Sequence, residues 1–251
     1  MDALLAAVVV VTLCVATAAA VRARRLGHPL GAGIRGVGAA RSIATGLAIA
    51  AAGMLVTTGL MAVAGVAHVD GVELHVGVLL LGALVFTLSA YVEELLFRVL
   101  MLGGLVRLTG RPWLALAVMA AMVGAFHLAT TAHTTALSVL SSTLGGVMYG
   151  VAFLRTGSLW LGVGVHLGWN WWQGTVLGFT VSGTDDYSGA LLQVHPAGAD
   201  WLGGGDYGPE GSVLSLVGRL VIIGLVLAVT AGPGRPSPGT SSSCSPAARG
   251  R

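Results

Sequence analysis

A chain of 251 residues that is 55% hydrophobic and only 9% charged is no soluble globular domain, where about a quarter of residues carry charge. Its mean hydropathy is +0.87 and its pI about 9.3. All 13 basic residues are arginines set mostly between apolar runs, so the positive-inside bias of membrane proteins accounts for them without a nucleic-acid partner. Cys14 and Cys244 belong to no CxxC or Cys/His pattern, which leaves neither a disulfide framework nor a zinc finger.

A bilayer core of about 30 Å is crossed by about 20 apolar residues in a helix. Such runs fall at about 3–21, 42–67, 75–92, 113–132, 136–154, 158–179 and 213–231. The first reads as a retained span: Met1-Asp2 gives no positive n-region and arginines follow the run directly, although Ala18 to Ala20 resemble a cleavage site. The third continues into a polar-spotted helical stretch to about residue 106. It is either one long helix or a span with a short second helix. The expected fold is therefore all-α: a polytopic transmembrane helical bundle of about seven spans, or eight on the second reading.

The charges give an orientation. Arg22, Arg24, Arg25, Arg35 and Arg41 fill the first loop, Arg107 and Arg111 follow the third run, Arg155 lies between the fifth and sixth, and Arg235, Arg249 and Arg251 are in the tail. The alternate loops hold Asp70 and Glu73, then His133, then Asp185, Asp186, Asp200, Asp206 and Glu210. Seven spans put every arginine loop on one side, which predicts a multi-pass cell-membrane protein with its N-terminus outside and its C-terminus cytoplasmic. An eighth span would break this alternation. Residues 182–212, Gly- and Asp-rich with Trp201 and Tyr207, read as an external loop whose aromatics touch the interface. Residues 1–231 form the transmembrane domain, and the Pro/Ser/Gly-rich 232–251 a disordered cytoplasmic tail. The 39 glycines form no nucleotide-binding loop; they are scattered through the spans, where small residues let helices approach.

Ionisable groups at membrane depth are costly and face a bundle interior or a water-filled cavity. Three segments carry them. In Tyr91-Val92-Glu93-Glu94-Leu95-Leu96-Phe97-Arg98, Glu94 and Arg98 share a helix face while Glu93 points about 100° away. One carboxylate can thus be neutralised while the other faces a cavity; an ordinary interfacial ion pair is the alternative. His127 ends the fourth run's apolar stretch, where a lone histidine is as readily a structural hydrogen-bonding residue. His166 and Asn170 lie one turn apart, suited to donating to an oxyanion or to binding helices together at about 1 kcal/mol per bond. Taken together they supply a general base and oxyanion donors, the two functions that peptide hydrolysis needs.

The order EExxxR, a histidine ending the next apolar run, then HxxxN resembles the CPBP family of CAAX proteases and bacteriocin-processing (Abi) enzymes, which includes the type II CAAX prenyl endopeptidases. The resemblance covers about residues 75–180, the expected protease core. It implies that Glu93 activates water with help from His127, that His166 and Asn170 form an oxyanion hole, and that Glu94 and Arg98 shape the site and tune its charge. It implies no metal and no cofactor. The substrate would be a peptide or protein, prenylated or membrane-anchored, met in the lipid bilayer. One departure stands out: the family's second motif is FxxxH, and this chain has Val123 at the aromatic position, with Phe126 beside His127 instead. The C-terminal Ala248-Arg249-Gly250-Arg251 is no CaaX box. Two other classes fit the same residues: a zinc-dependent membrane protease, since two Glu and two His are possible ligands although HExxH is lacking, and a non-enzymatic immunity factor, scaffold or small transporter using a proton relay.

Overall fold

A computed structural model describes Ile34, Gly36 and residues 38–231 of the chain. The expected first span, the arginines before Arg41 and the tail lie outside the described residues. Within them the chain is overwhelmingly helical. Helix α1 is Ala39–Val63 and α2 is Val76–Thr109; α3 is Pro112–Thr130 and α4 Ala136–Thr156. Helix α5 is Trp160–Asn170, continued by a π-helical segment Trp171–Val176, and α6 is Val213–Val229. The first four are long and apolar enough to cross a membrane, while α6 is a shorter apolar helix. The six expected runs among the described residues are thus all helical, but only four meet the length of a full span.

Local chemistry sets the ends. Gly110, at φ 64°, stops α2 in the left-handed conformation that a Cβ disfavours, and Pro112 opens α3 at a position where its missing N–H costs nothing. The Thr135 hydroxyl accepts from the Ser138 N–H, and Ser138 returns a bond to the Thr135 N–H, a capping box that starts α4. The stretch to residue 109 resolves as one helix, not as a span plus a second helix. Its middle, Leu95–Leu102, is π-helical. Such wide turns are frequent at functional sites, and this one begins directly after Glu94.

Glycines allow the closest helix crossing. Helix α1 lies against α5 so tightly that a Cβ on Gly46 would come within 2.6 Å of the Val165 amide nitrogen, and one on Gly168 within 2.6 Å of the Ala50 methyl. Trp169, Met119, Met148 and Leu102 are fully buried in the core cluster that also contains Ala50 and Val165 of this crossing.

Two features depart from the all-α expectation. A strand β1, Ala67–Val72, pairs antiparallel with β2, Leu192–Pro196, with an irregularity between Val69 and Gly71. The segment read as an external loop is in large part folded onto the bundle: Trp201 is exposed, but Tyr207 is 1% exposed and Glu210 6%. The physical reason is backbone demand. The π-helical end of α5 leaves carbonyls unpaired, and Gly189, Ala190 and Val194 donate to Gly174, Thr175 and Leu177. At the opposite end of the bundle, Arg155 bonds the Thr230 carbonyl and hydroxyl, tying the end of α4 to the end of α6.

Candidate active site

The six expected site residues come from three helices, and the fold gathers them. A cavity of about 410 Å³ is lined by Glu93 and Arg98 from α2, His127 from α3, and His166 and Asn170 from α5. Glu94 is completely buried behind its wall. The two adjacent carboxylates have therefore separated as helical geometry dictates. Glu93 keeps 25% side-chain exposure, while Glu94 Oε1 stands 3.1 Å from Arg98 Nη1 and 3.1 Å from His166 Nδ1.

Gly162 makes room for this arrangement. A Cβ there would lie 2.6 Å from Glu94 Oε2, so the glycine is the notch that receives the carboxylate. Arg98 is 1% exposed and in ion-pair contact with Glu94. Its guanidinium nitrogens have no aligned hydrogen bond among the described residues. The cation lies instead over the Tyr149 ring at 4.9 Å, and Tyr149 stacks on His166 at 4.5 Å with ring planes 15° apart. Tyr149 thus fixes the rotation of the histidine from behind.

The histidine tautomers follow from their partners. His127 Nδ1 is 2.9 Å from the Val123 carbonyl, an acceptor only, so Nδ1 carries the proton and Nε2 is the free ring nitrogen. His166 Nδ1 faces the Glu94 carboxylate at 3.1 Å, which leaves Nε2, 4.0 Å from Glu93 Oε2, on the cavity side. At the position where the sequence departs from FxxxH, Val123 is buried in the cavity wall. Phe126 packs edge-on against Phe97 at 5.4 Å, which makes its role one of packing.

A second charged centre faces the same cavity and was not singled out from the sequence. Glu210, in the 3-10 turn Pro209–Gly211 that precedes α6, bonds Arg219 of α6: Arg219 Nη2 donates to Glu210 Oε1 at 2.7 Å. Arg219 Nε donates to Ser141 Oγ at 2.9 Å, and a Cβ on Gly145 would crowd its Nη1 at 2.5 Å. Burial alone would raise the pKa of Glu210, but Arg219, the Ser182 hydrogen bonds, the nearby His127 and the Trp169 N–H together hold it below its ordinary value. The sequence carried one signal for this pair: an arginine in the middle of the apolar run 213–231. Glu210 gave none, because it sits among the acidic residues of what read as a solvent loop.

Among the described residues, no group of three or more His, Cys, Asp or Glu is arranged to hold a metal ion. Comparison with family models matches residues 75–172 to the model described as Type II CAAX prenyl endopeptidase Rce1-like. Comparison with the curated proteins and with the solved structures gave no match.

Proposed function

From the match of residues 75–172 to the type II CAAX prenyl endopeptidase Rce1-like model, we propose that the chain is a metal-independent intramembrane endopeptidase in which Glu93 is the general base. The observation that carries this reading is the shared cavity: Glu93, His127, His166 and Asn170 all line it, while Glu94 and Arg98 neutralise one another at its wall. Glu93 keeps 25% side-chain exposure and meets His166 Nε2 at a loose 4.0 Å, whereas Glu94 is fully buried at 3.1 Å from both Arg98 and His166.

The chemistry is addition of water to a peptide carbonyl. Glu93 takes a proton from water, with the Nε2 lone pair of His127 as second acceptor, and the oxygen adds to the carbonyl carbon. The carbonyl oxygen becomes an oxyanion that accepts from the Asn170 amide N–H and from His166 Nε2. With Nδ1 given to Glu94, His166 donates from Nε2 in its doubly protonated form. The tetrahedral intermediate collapses as Glu93 returns the proton to the departing amine nitrogen, leaving a carboxylic acid, which then loses its proton to water, and a free amine.

The substrate we propose is a prenylated or otherwise membrane-anchored peptide or protein. Phe86, Val123 and Phe126 give the cavity an apolar side beside its charged floor, which suits a cleavage site tethered to an apolar group. The arginine-bearing helix ends are proposed to face the cytoplasm.

The test is cleavage of a quenched fluorescent prenylated peptide by the purified chain in lipid nanodiscs. Glu93→Ala is expected to lower kcat by about 100-fold to 10,000-fold, the usual contribution of a general base, with folding retained and with chelators leaving the wild type active. Full activity in folded Glu93→Ala would overturn the assignment. Chelator-induced loss that zinc restores would overturn its metal independence.

A further inference from the structure

Glu210 joins three parts of the molecule at one carboxylate. Its Oε1 accepts from Arg219 Nη2 of α6 at 2.7 Å and from Trp169 Nε1 of α5 at 2.9 Å. Its Oε2 accepts from the Ser182 amide at 3.0 Å and from the Ser182 hydroxyl at 2.7 Å. Every acceptor position that matters is thus taken, which is the condition under which a buried charge is stable. Two of the partners connect this carboxylate to residues of the cavity. Trp169 is fully buried and immediately precedes Asn170, and its ring also carries the Arg219 guanidinium at 4.4 Å. Ser182 lines the cavity beside Val181 and Thr184. Its φ of 48° is a left-handed conformation that a serine holds only when its surroundings fix it; here both of its bonds to Glu210 do so.

Neither Glu210, Arg219 nor Ser182 falls within the residues matched by the family model. We propose that Glu210 and Arg219 are positioning residues of the hydrolytic site: through Trp169 they set where Asn170 and His166 present their donors, and through Ser182 they hold residues 181–184 as the cavity's wall. This rests on the endopeptidase reading for its catalytic consequence, but the tie itself is a matter of geometry that can be read without turnover. A buried pair used only for general stability would have no need to hold a strained serine at the cavity, nor to bond the residue next to Asn170.

The experiment pairs two readouts on the full chain in nanodiscs: hydrogen–deuterium exchange of the peptide spanning residues 178–189, and steady-state cleavage of the same prenylated peptide. Two variants are compared with wild type, Glu210→Gln and Ser182→Gly. The first keeps shape but turns an amide N–H toward donors. The second relieves the left-handed strain and removes only the hydroxyl bond, so it leaves folding intact if Glu210→Gln does not. Expected are faster exchange in 178–189 for both, a kcat lowered about 10-fold or more for Glu210→Gln and about 3-fold for Ser182→Gly, and KM within about 2-fold. A melting temperature unchanged in Ser182→Gly alongside reduced kcat separates positioning from bulk stability. Unchanged exchange in either folded variant, or unchanged kcat in both, overturns the proposal. A wild type that cleaves no better than Glu93→Ala would sink the endopeptidase reading by itself, and the tie would then stand or fall on exchange alone.

Discussion

Glu94 shows how far a single side chain constrains its neighbours. It is fully buried, it pairs with a buried arginine and a buried histidine, and its outer oxygen occupies the space of a missing methyl at Gly162. Adding that methyl would push the far end of a flexible side chain more than it would push backbone. Gly162→Ala should therefore cost about 1–3 kcal/mol in overpacking, yet lower kcat by far more than the melting temperature implies, because the displaced carboxylate releases His166. Parallel thermal-melt and cleavage measurements check this; unchanged kcat in a variant with a measurable stability loss would refute it. At this scale much was legible from sequence alone. The four-residue spacing of Glu94 and Arg98, and the roughly 100° offset of Glu93, follow from helix geometry and describe the observed pair and the observed cavity-facing group. The stacking of Tyr149 between Arg98 and His166 was not legible, since α4 shows no polar pattern that singles out one tyrosine.

At the scale of elements, the two π-helical segments are the feature the sequence hid. One starts after Glu94 and one after Asn170. Apolar periodicity cannot announce a wider turn where nearly every residue is apolar. Composition misled about residues 182–212, whose glycines and aspartates looked like solvent loop while amides among them close the end of α5. This segment also brings a pH dependence. Glu210 titrates below its ordinary value in the folded protein, so it binds a proton less readily there than in the unfolded chain. Its contribution to stability is complete above the unfolded carboxylate value of about 4.3 and is lost as pH falls through its lower folded value. Acidification through that window should loosen 178–189 in hydrogen exchange in wild type, and Glu210→Gln should remove this acid response. An acid response of equal size in both proteins would contradict it.

For the molecule as a whole, the apolar runs marked the helices, and the alternation of arginine-bearing and acidic connections predicts the direction of each run, because the cost of moving arginine across a bilayer operates on whole segments. The bond from Arg155 to Thr230 agrees with it, bringing the ends of α4 and α6 to the same side. The prediction is a labelling experiment on single-cysteine variants in a Cys14→Ser, Cys244→Ser background. A cysteine at Ser158 should react with a membrane-impermeant thiol reagent only after the cell is opened. One at Asp186 should react in intact cells. The reverse pattern would invert the orientation.

The two buried ion pairs share a property that bears on how the chain enters its bilayer. Arg98 finds Glu94 four residues away, and Arg219 finds Glu210 nine residues away. Each costly cation, about 2.5–3.5 kcal/mol if inserted alone, thus travels with its own counter-charge inside one short stretch of chain. In both stretches the cation can be neutralised as the segment leaves the insertion machinery, before any distant helix has arrived. The groups that later hold the active cavity in shape are then the ones that let each segment be accepted by the membrane singly.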